Sequence, residues 1–132
     1  MFEKLVEIRK NSYSPYTKFP VSAIVVTKDG REFIGTNVED ASTRAGACAE
    51  RTAIFSAISS GVKKGEFKEI HVLASQDETP GTPCFVCRQM LSEMFPVEAK
   101  VYCYSNTGKV KEFTIKELCP YPFEEFTEED VK

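Results

Sequence analysis

The spacing of apolar residues changes several times along the chain, and each change marks an element. Phe2, Leu5, Val6 and Ile8 recur at roughly helical spacing, which predicts a short amphipathic helix over the first eleven residues, and Pro15 ends any continuation. Val21 to Thr27 is rich in branched side chains and reads as a strand. Lys28-Asp29-Gly30 is a hairpin signal, with Glu32 to Thr36 as the returning strand. Residues 37–47 lack clear periodicity, contain Gly46, and read as a loop. A helix from Cys48 to Ser60 follows, with Ala49, Ala53, Ile54, Ala57 and Ile58 as its apolar stripe and Gly61 as its stop.

The second half continues in the same alternating style. Glu69 to Ser75 is apolar along most of its length, which predicts a central strand. After the polar loop 76–82 comes a helix from Cys84 to Phe95, with Met90, Leu91 and Met94 facing the core. Lys100 to Ser105 and Lys109 to Phe113 are strands joined by the turn Asn106-Thr107-Gly108. Thr114-Ile115-Lys116-Glu117 has the capping-box pattern of a last short helix, which Pro120 halts. This order predicts an α/β fold, a three-layer α/β/α sandwich around a five-stranded mixed sheet. The last two strands have only a short turn between them and must be antiparallel.

A length of 132 residues predicts one domain over 1–132, with an acidic, solvated and partly mobile end over 124–132. A net charge of −3 speaks against a nucleic-acid partner. No apolar run approaches membrane-spanning length. Five cysteines, an odd number, and a start without a signal-peptide pattern predict free thiols and a reducing, cytoplasmic setting.

Those cysteines carry the chemistry. Pro83-Cys84-Phe85-Val86-Cys87 opens one predicted helix and Cys48 opens the other. With Pro83 in the first helical position and Thr82 as cap, Cys84 and Cys87 fall on one helical face, where the positive helix end favours thiolate. Cys-x-x-Cys alone also suits a redox pair or half of a structural zinc site. The remaining candidates are weaker. His71, the only histidine, sits in an apolar strand and reads as a core or edge residue rather than a ligand, while Cys103 and Cys119 read as partly buried free thiols. Three ligands, Cys48, Cys84 and Cys87, plus an open position fit one catalytic zinc ion. Glu50, two residues beyond Cys48, then suits a proton carrier for the water at that position; the alternative is a first-turn glutamate serving the helix dipole. Arg51 and Arg88 are candidates to offset the charge of three thiolates by hydrogen bonding to sulfur.

Cys48-Ala49-Glu50-Arg51 and Pro83-Cys84-Phe85-Val86-Cys87-Arg88-Gln89 resemble the cytidine deaminase family, in particular its small zinc nucleoside deaminases. Ser14 to Phe19, Gly35 to Glu39 and Glu117 to Phe123 also resemble family segments, so the likeness covers roughly positions 2 to 123. It implies hydrolysis of cytidine and 2′-deoxycytidine to the uridine products and ammonia, by zinc-bound hydroxide with Glu50 as proton shuttle, in pyrimidine salvage. One Zn2+ per subunit, a free nucleoside substrate and a homotetramer come with it. By the same resemblance Asn37 and Glu39 bond the ribose hydroxyls, Phe19 packs on the base, Ala49 lines the substrate site, and Phe123 reaches a neighbouring subunit's site. Read on their own, these are a turn asparagine, a surface glutamate and residues of the core. The closing hairpin implies the nucleoside branch, because the branches acting on transfer RNA or DNA insert a helix there. The chain departs from the family pattern at Ser22, Asp40, Thr43 to Gly46, and Phe85-Val86, which bears on specificity more than on the metal. The alternatives are a related nucleoside substrate such as blasticidin S, and a non-catalytic zinc module.

Overall fold

The computed structural model describes residues 1–42 and 46–124; the predicted acidic end beyond Glu124, and Thr43 to Ala45 of the atypical loop, lie outside the described residues. The elements run α1 (Phe2–Arg9), β1 (Ser22–Thr27), β2 (Glu32–Thr36), α2 (Ala49–Ser59), β3 (Phe67–Leu73), α3 (Phe85–Met94), β4 (Lys100–Tyr104), β5 (Val110–Thr114) and α4 (Ile115–Leu118). The sheet order is β2-β1-β3-β4-β5. Its β3–β4 pair is parallel, and its β1–β2, β1–β3 and β4–β5 pairs are antiparallel. The expected mixed sheet with a closing hairpin is therefore present, and β3 is its centre.

Alternation along the strands decides which layer each side chain serves. Ala23 and Val25 of β1, Ile70 and Val72 of β3, and Val101 and Cys103 of β4 face the larger core, against Ala53, Ile54 and Ala57 of α2, Leu91 of α3, and Ile115 and Leu118 of α4. Ile24, Leu73 and Tyr104 face the other way, onto Leu5 of α1. Ser22 anchors that outer layer: its buried hydroxyl donates to the Leu5 carbonyl at 2.7 Å. His71 belongs to this face too. Its Nδ1 pairs with the Tyr104 hydroxyl at 2.8 Å and its Nε2 with Glu69 at 2.5 Å, while its ring stacks on Tyr102.

Several expected boundaries shift for local reasons. Cys48 and Cys84 are helix caps, not first helical residues: both are extended, with ψ of 157° and 164°, and their carbonyls accept the first helical bonds, from Thr52 and Arg88. Pro83 therefore precedes the cap instead of opening the helix, and the Thr82 hydroxyl accepts a bond from Arg88 instead of capping. β3 starts two residues early because Phe67 pairs with Thr27 past an irregularity in β1, and it ends before Ser75, whose hydroxyl closes the turn to Thr79. α1 stops at Arg9. The capping box at Thr114 and Glu117 forms as expected.

β2 lies almost against the first turns of α2. A Cβ added at Gly35 would sit 2.4 Å from the Ala49 carbonyl oxygen and 2.5 Å from the Ala53 nitrogen. Backbone cannot yield there, so Gly35→Ala is expected to cost about 1–3 kcal/mol through overpacking. Urea denaturation of the purified protein reads this directly, as a lower midpoint with an unchanged slope.

Candidate active site

The two cap positions bring the sulfurs together. Cys48 ends the chain's approach to α2, Cys84 the approach to α3, and Cys87 lies one turn into α3. Cys48 Sγ stands 3.7 Å from Cys84 Sγ, which stands 3.5 Å from Cys87 Sγ. All three sulfurs lie within 4.8 Å of one another. Two thiolates bound tetrahedrally to zinc at about 2.3 Å stand about 3.8 Å apart, so the spacing fits one such ion. Among the described residues no other His, Cys, Asp or Glu joins this group. His71 is held on the opposite sheet face, and Cys103 is packed in the larger core.

The electrostatics suit thiolates. The Cys48 thiol is lowered to about 5, chiefly by a hydrogen bond from Cys87, then by Arg51 and Cys84. Cys87 is pushed up, first by that same bond to Cys48 and then by burial and the Glu50 charge. A divalent ion held by all three would take them as thiolates. Two helix N-termini point their positive ends at the sulfurs. Arg51 Nη2 donates to Cys48 Sγ at 3.6 Å. Arg88 does not reach sulfur. It donates to the Pro83 carbonyl at 2.7 Å, to the Leu118 carbonyl at 3.1 Å and to the Thr82 hydroxyl at 2.8 Å, tying the entry of α3 to α4.

Glu50 is only 3% exposed, although it occupies the first turn of α2. Burial raises its carboxyl to about 7. A glutamate serving only the dipole would stay in solvent. Glu50, Ala49, Cys48 and Cys84 line a cavity of about 360 Å³ together with Phe19, Asn37, Glu39 and Thr17. Eight residues expected from the sequence to serve the metal or the substrate thus meet at one place, counting Cys87 beside Cys84. Phe123 does not join them. Its ring is 81% exposed, and Gln89 grips its backbone through two bonds of 2.9 Å. This excludes the core reading of Phe123.

Asn37 and Glu39 are heavily engaged. Asn37 Oδ1 accepts from the Val21 amide at 2.8 Å and the Ser12 hydroxyl at 2.5 Å, and its Nδ2 donates to the Phe19 carbonyl at 2.8 Å. Glu39 Oε1 accepts from the amides of Tyr16 and Thr17 at 3.1 and 3.2 Å, and Oε2 accepts from the Thr17 hydroxyl. These bonds hold the Glu39 carboxyl below its ordinary range, the Thr17 hydroxyl contributing most. Ser12 lies outside the segments singled out in the sequence, and Thr17 falls within the 14–19 likeness without a role of its own. Nothing in their spacing marks them, and Pro15 signals only a turn.

The family model for the zinc-binding region of cytidine and deoxycytidylate deaminases matches residues 1–104. A cytidine deaminase of Halalkalibacterium halodurans is 37% identical over 93% of this chain and 91% of its own length. A blasticidin-S deaminase of Bacillus cereus is 33% identical over 80% of this chain and 78% of its own. The 1.6 Å crystal structure of a cytidine deaminase from Burkholderia pseudomallei superposes with a TM-score of 0.87 at 39% identity, covering 92% of this chain and 94% of that one. Three converging sulfurs, a buried glutamate beside them and this agreement across nearly the whole length lead to one conclusion: the chain belongs to the cytidine deaminase family of zinc-dependent hydrolytic deaminases.

Proposed function

We propose that this chain converts cytidine and 2′-deoxycytidine to uridine and 2′-deoxyuridine with release of ammonia, in cytoplasmic pyrimidine salvage. The observation that carries the reading is Glu50, buried in the cavity beside the sulfur trio. Zinc held by Cys48, Cys84 and Cys87 supplies water with a lowered pKa. Replacing the 4-amino group by oxygen requires that protons leave water and reach N3 of the base and the departing amine. Glu50 is the acid in this cavity placed to carry them. Arg51 offsets the thiolate charge through Cys48. Phe19, half-buried on the cavity wall, packs on the pyrimidine, and Ala49 closes the space beside Glu50.

Counting hydrogen-bond valences refines the sugar site. A carboxylate offers about four acceptor positions, and Glu39 uses three. Asn37 has both acceptor positions filled and one N–H left. One acceptor and one donor remain, which suits a single sugar hydroxyl that donates to Glu39 and accepts from Asn37. The 3′-hydroxyl is common to ribose and 2′-deoxyribose, so this supports a site that takes both nucleosides.

The subunits form a homotetramer. The exposed rings of Phe55, Phe85, Tyr121 and Phe123 support self-association, and Phe123, gripped only by its backbone, is free to enter a neighbour's site.

Glu50→Gln is expected to lower kcat for cytidine by about 10²- to 10⁴-fold while one zinc per chain is retained; parallel ultraviolet assay and metal analysis decide it, and full activity of the variant would refute the shuttle. In a substrate panel that includes blasticidin S, loss of the 2′-hydroxyl from cytidine is expected to change kcat/KM less than about fivefold. Loss of the 3′-hydroxyl should lower it roughly 10- to 100-fold, because the Glu39 acceptor and the Asn37 donor, covered by the bound nucleoside, are then left unpaired. A preference for blasticidin S over every cytidine would overturn the substrate assignment.

A further inference from the structure

Segment 16–19 is built around the Thr17 hydroxyl. That hydroxyl donates to Glu39 Oε2 and accepts from the Phe19 amide at 3.2 Å, so it bridges the acid and the aromatic residue of the cavity. Between them Lys18 has φ of +57°, the one left-handed non-glycine among the described residues. A lysine there is strained. The conformation is held by the Lys18 amide bonding to the Ser14 carbonyl at 3.0 Å, by Gln76 bonding to the Lys18 carbonyl at 3.2 Å, and by the Thr17 bridge. Without the hydroxyl, Glu39 keeps two amide bonds, both to Oε1, and its plane can rotate about that anchored oxygen. The free lone pair on Oε2 would then lose its direction.

We propose that Thr17 is a positioning residue for sugar recognition: its hydroxyl aims the free acceptor of Glu39 at the nucleoside's 3′-hydroxyl. This rests on the reading that Glu39 binds that hydroxyl. Thr17 makes no bond to the reacting atoms. Its removal acts through Glu39, on binding of ground state and transition state alike, and so falls on KM more than on kcat.

The test compares cytidine with 3′-deoxycytidine on wild type, Thr17→Val, Thr17→Ala, Thr17→Ser and Glu39→Gln, each checked for zinc content. Valine keeps the shape and loses the hydroxyl; alanine serves if the valine variant does not fold. Thr17→Val is expected to raise KM for cytidine about tenfold or more with kcat changed less than threefold, and to affect 3′-deoxycytidine less than threefold. Thr17→Ser should restore wild-type discrimination between the two substrates. An equal loss on both substrates, or none on either, overturns the proposal. If Glu39→Gln loses cytidine selectively while Thr17→Val does not, only the role of Thr17 fails. If Glu39→Gln spares cytidine as well, the reading of Glu39 as the sugar ligand fails with it.

Discussion

Three sulfurs within 4.8 Å of one another can all be thiolates only if something stabilises their negative charge. The fold supplies that stabilisation before any ion arrives. Cys48 and Cys84 each cap a helix, so two helix N-termini converge on the sulfurs, and Arg51 adds a full positive charge at Cys48. The rest of the architecture serves to bring α2 and α3 to this one point. β3 and β4 run parallel at the sheet centre, so α3 follows α2 onto the same face. Gly35 lets β2 approach the start of α2 closely enough to set where Cys48 and Glu50 stand.

Around that point the cavity holds two acids in different settings. Glu50 is desolvated between helix and sheet, which keeps its proton affinity high. Glu39 is the opposite case: an outer carboxylate whose ionised form is favoured by donors from the neighbouring 12–19 loop, Tyr16 and Thr17. Two acids in one cavity thus differ in environment, which suits one to carrying protons and the other to accepting a hydroxyl. The loop 12–19 and the 37–39 segment are tied together through Asn37, Ser12 and Thr17, so cavity residues far apart in sequence are held to one another.

Much of this was legible in the sequence, for identifiable reasons. The metal trio, Glu50, the succession of helices and strands and the antiparallel closing pair rest on local spacing and periodicity, which survive folding unchanged. What failed to show depended on contacts across the chain. Arg88 follows a ligand directly, yet its guanidinium turns to Leu118, 30 positions away. Phe123 read on its own is a core residue, and only its exposure, with Gln89 gripping its backbone, excludes that. Pro83 suits a helix start, but the extended backbone at Cys84 makes the cysteine itself the cap. Thr17 has no periodic or compositional mark at all; its importance appears only when its hydroxyl is seen between Glu39 and Phe19.

The account stands on one ion bound by three sulfurs with one position left for solvent. X-ray absorption at the zinc edge of the purified, metal-loaded protein tests this most directly. The prediction is three sulfurs at about 2.3 Å and one oxygen at about 2.0 Å. Four protein ligands, whether a fourth sulfur or a histidine nitrogen, would make the site structural and contradict the account.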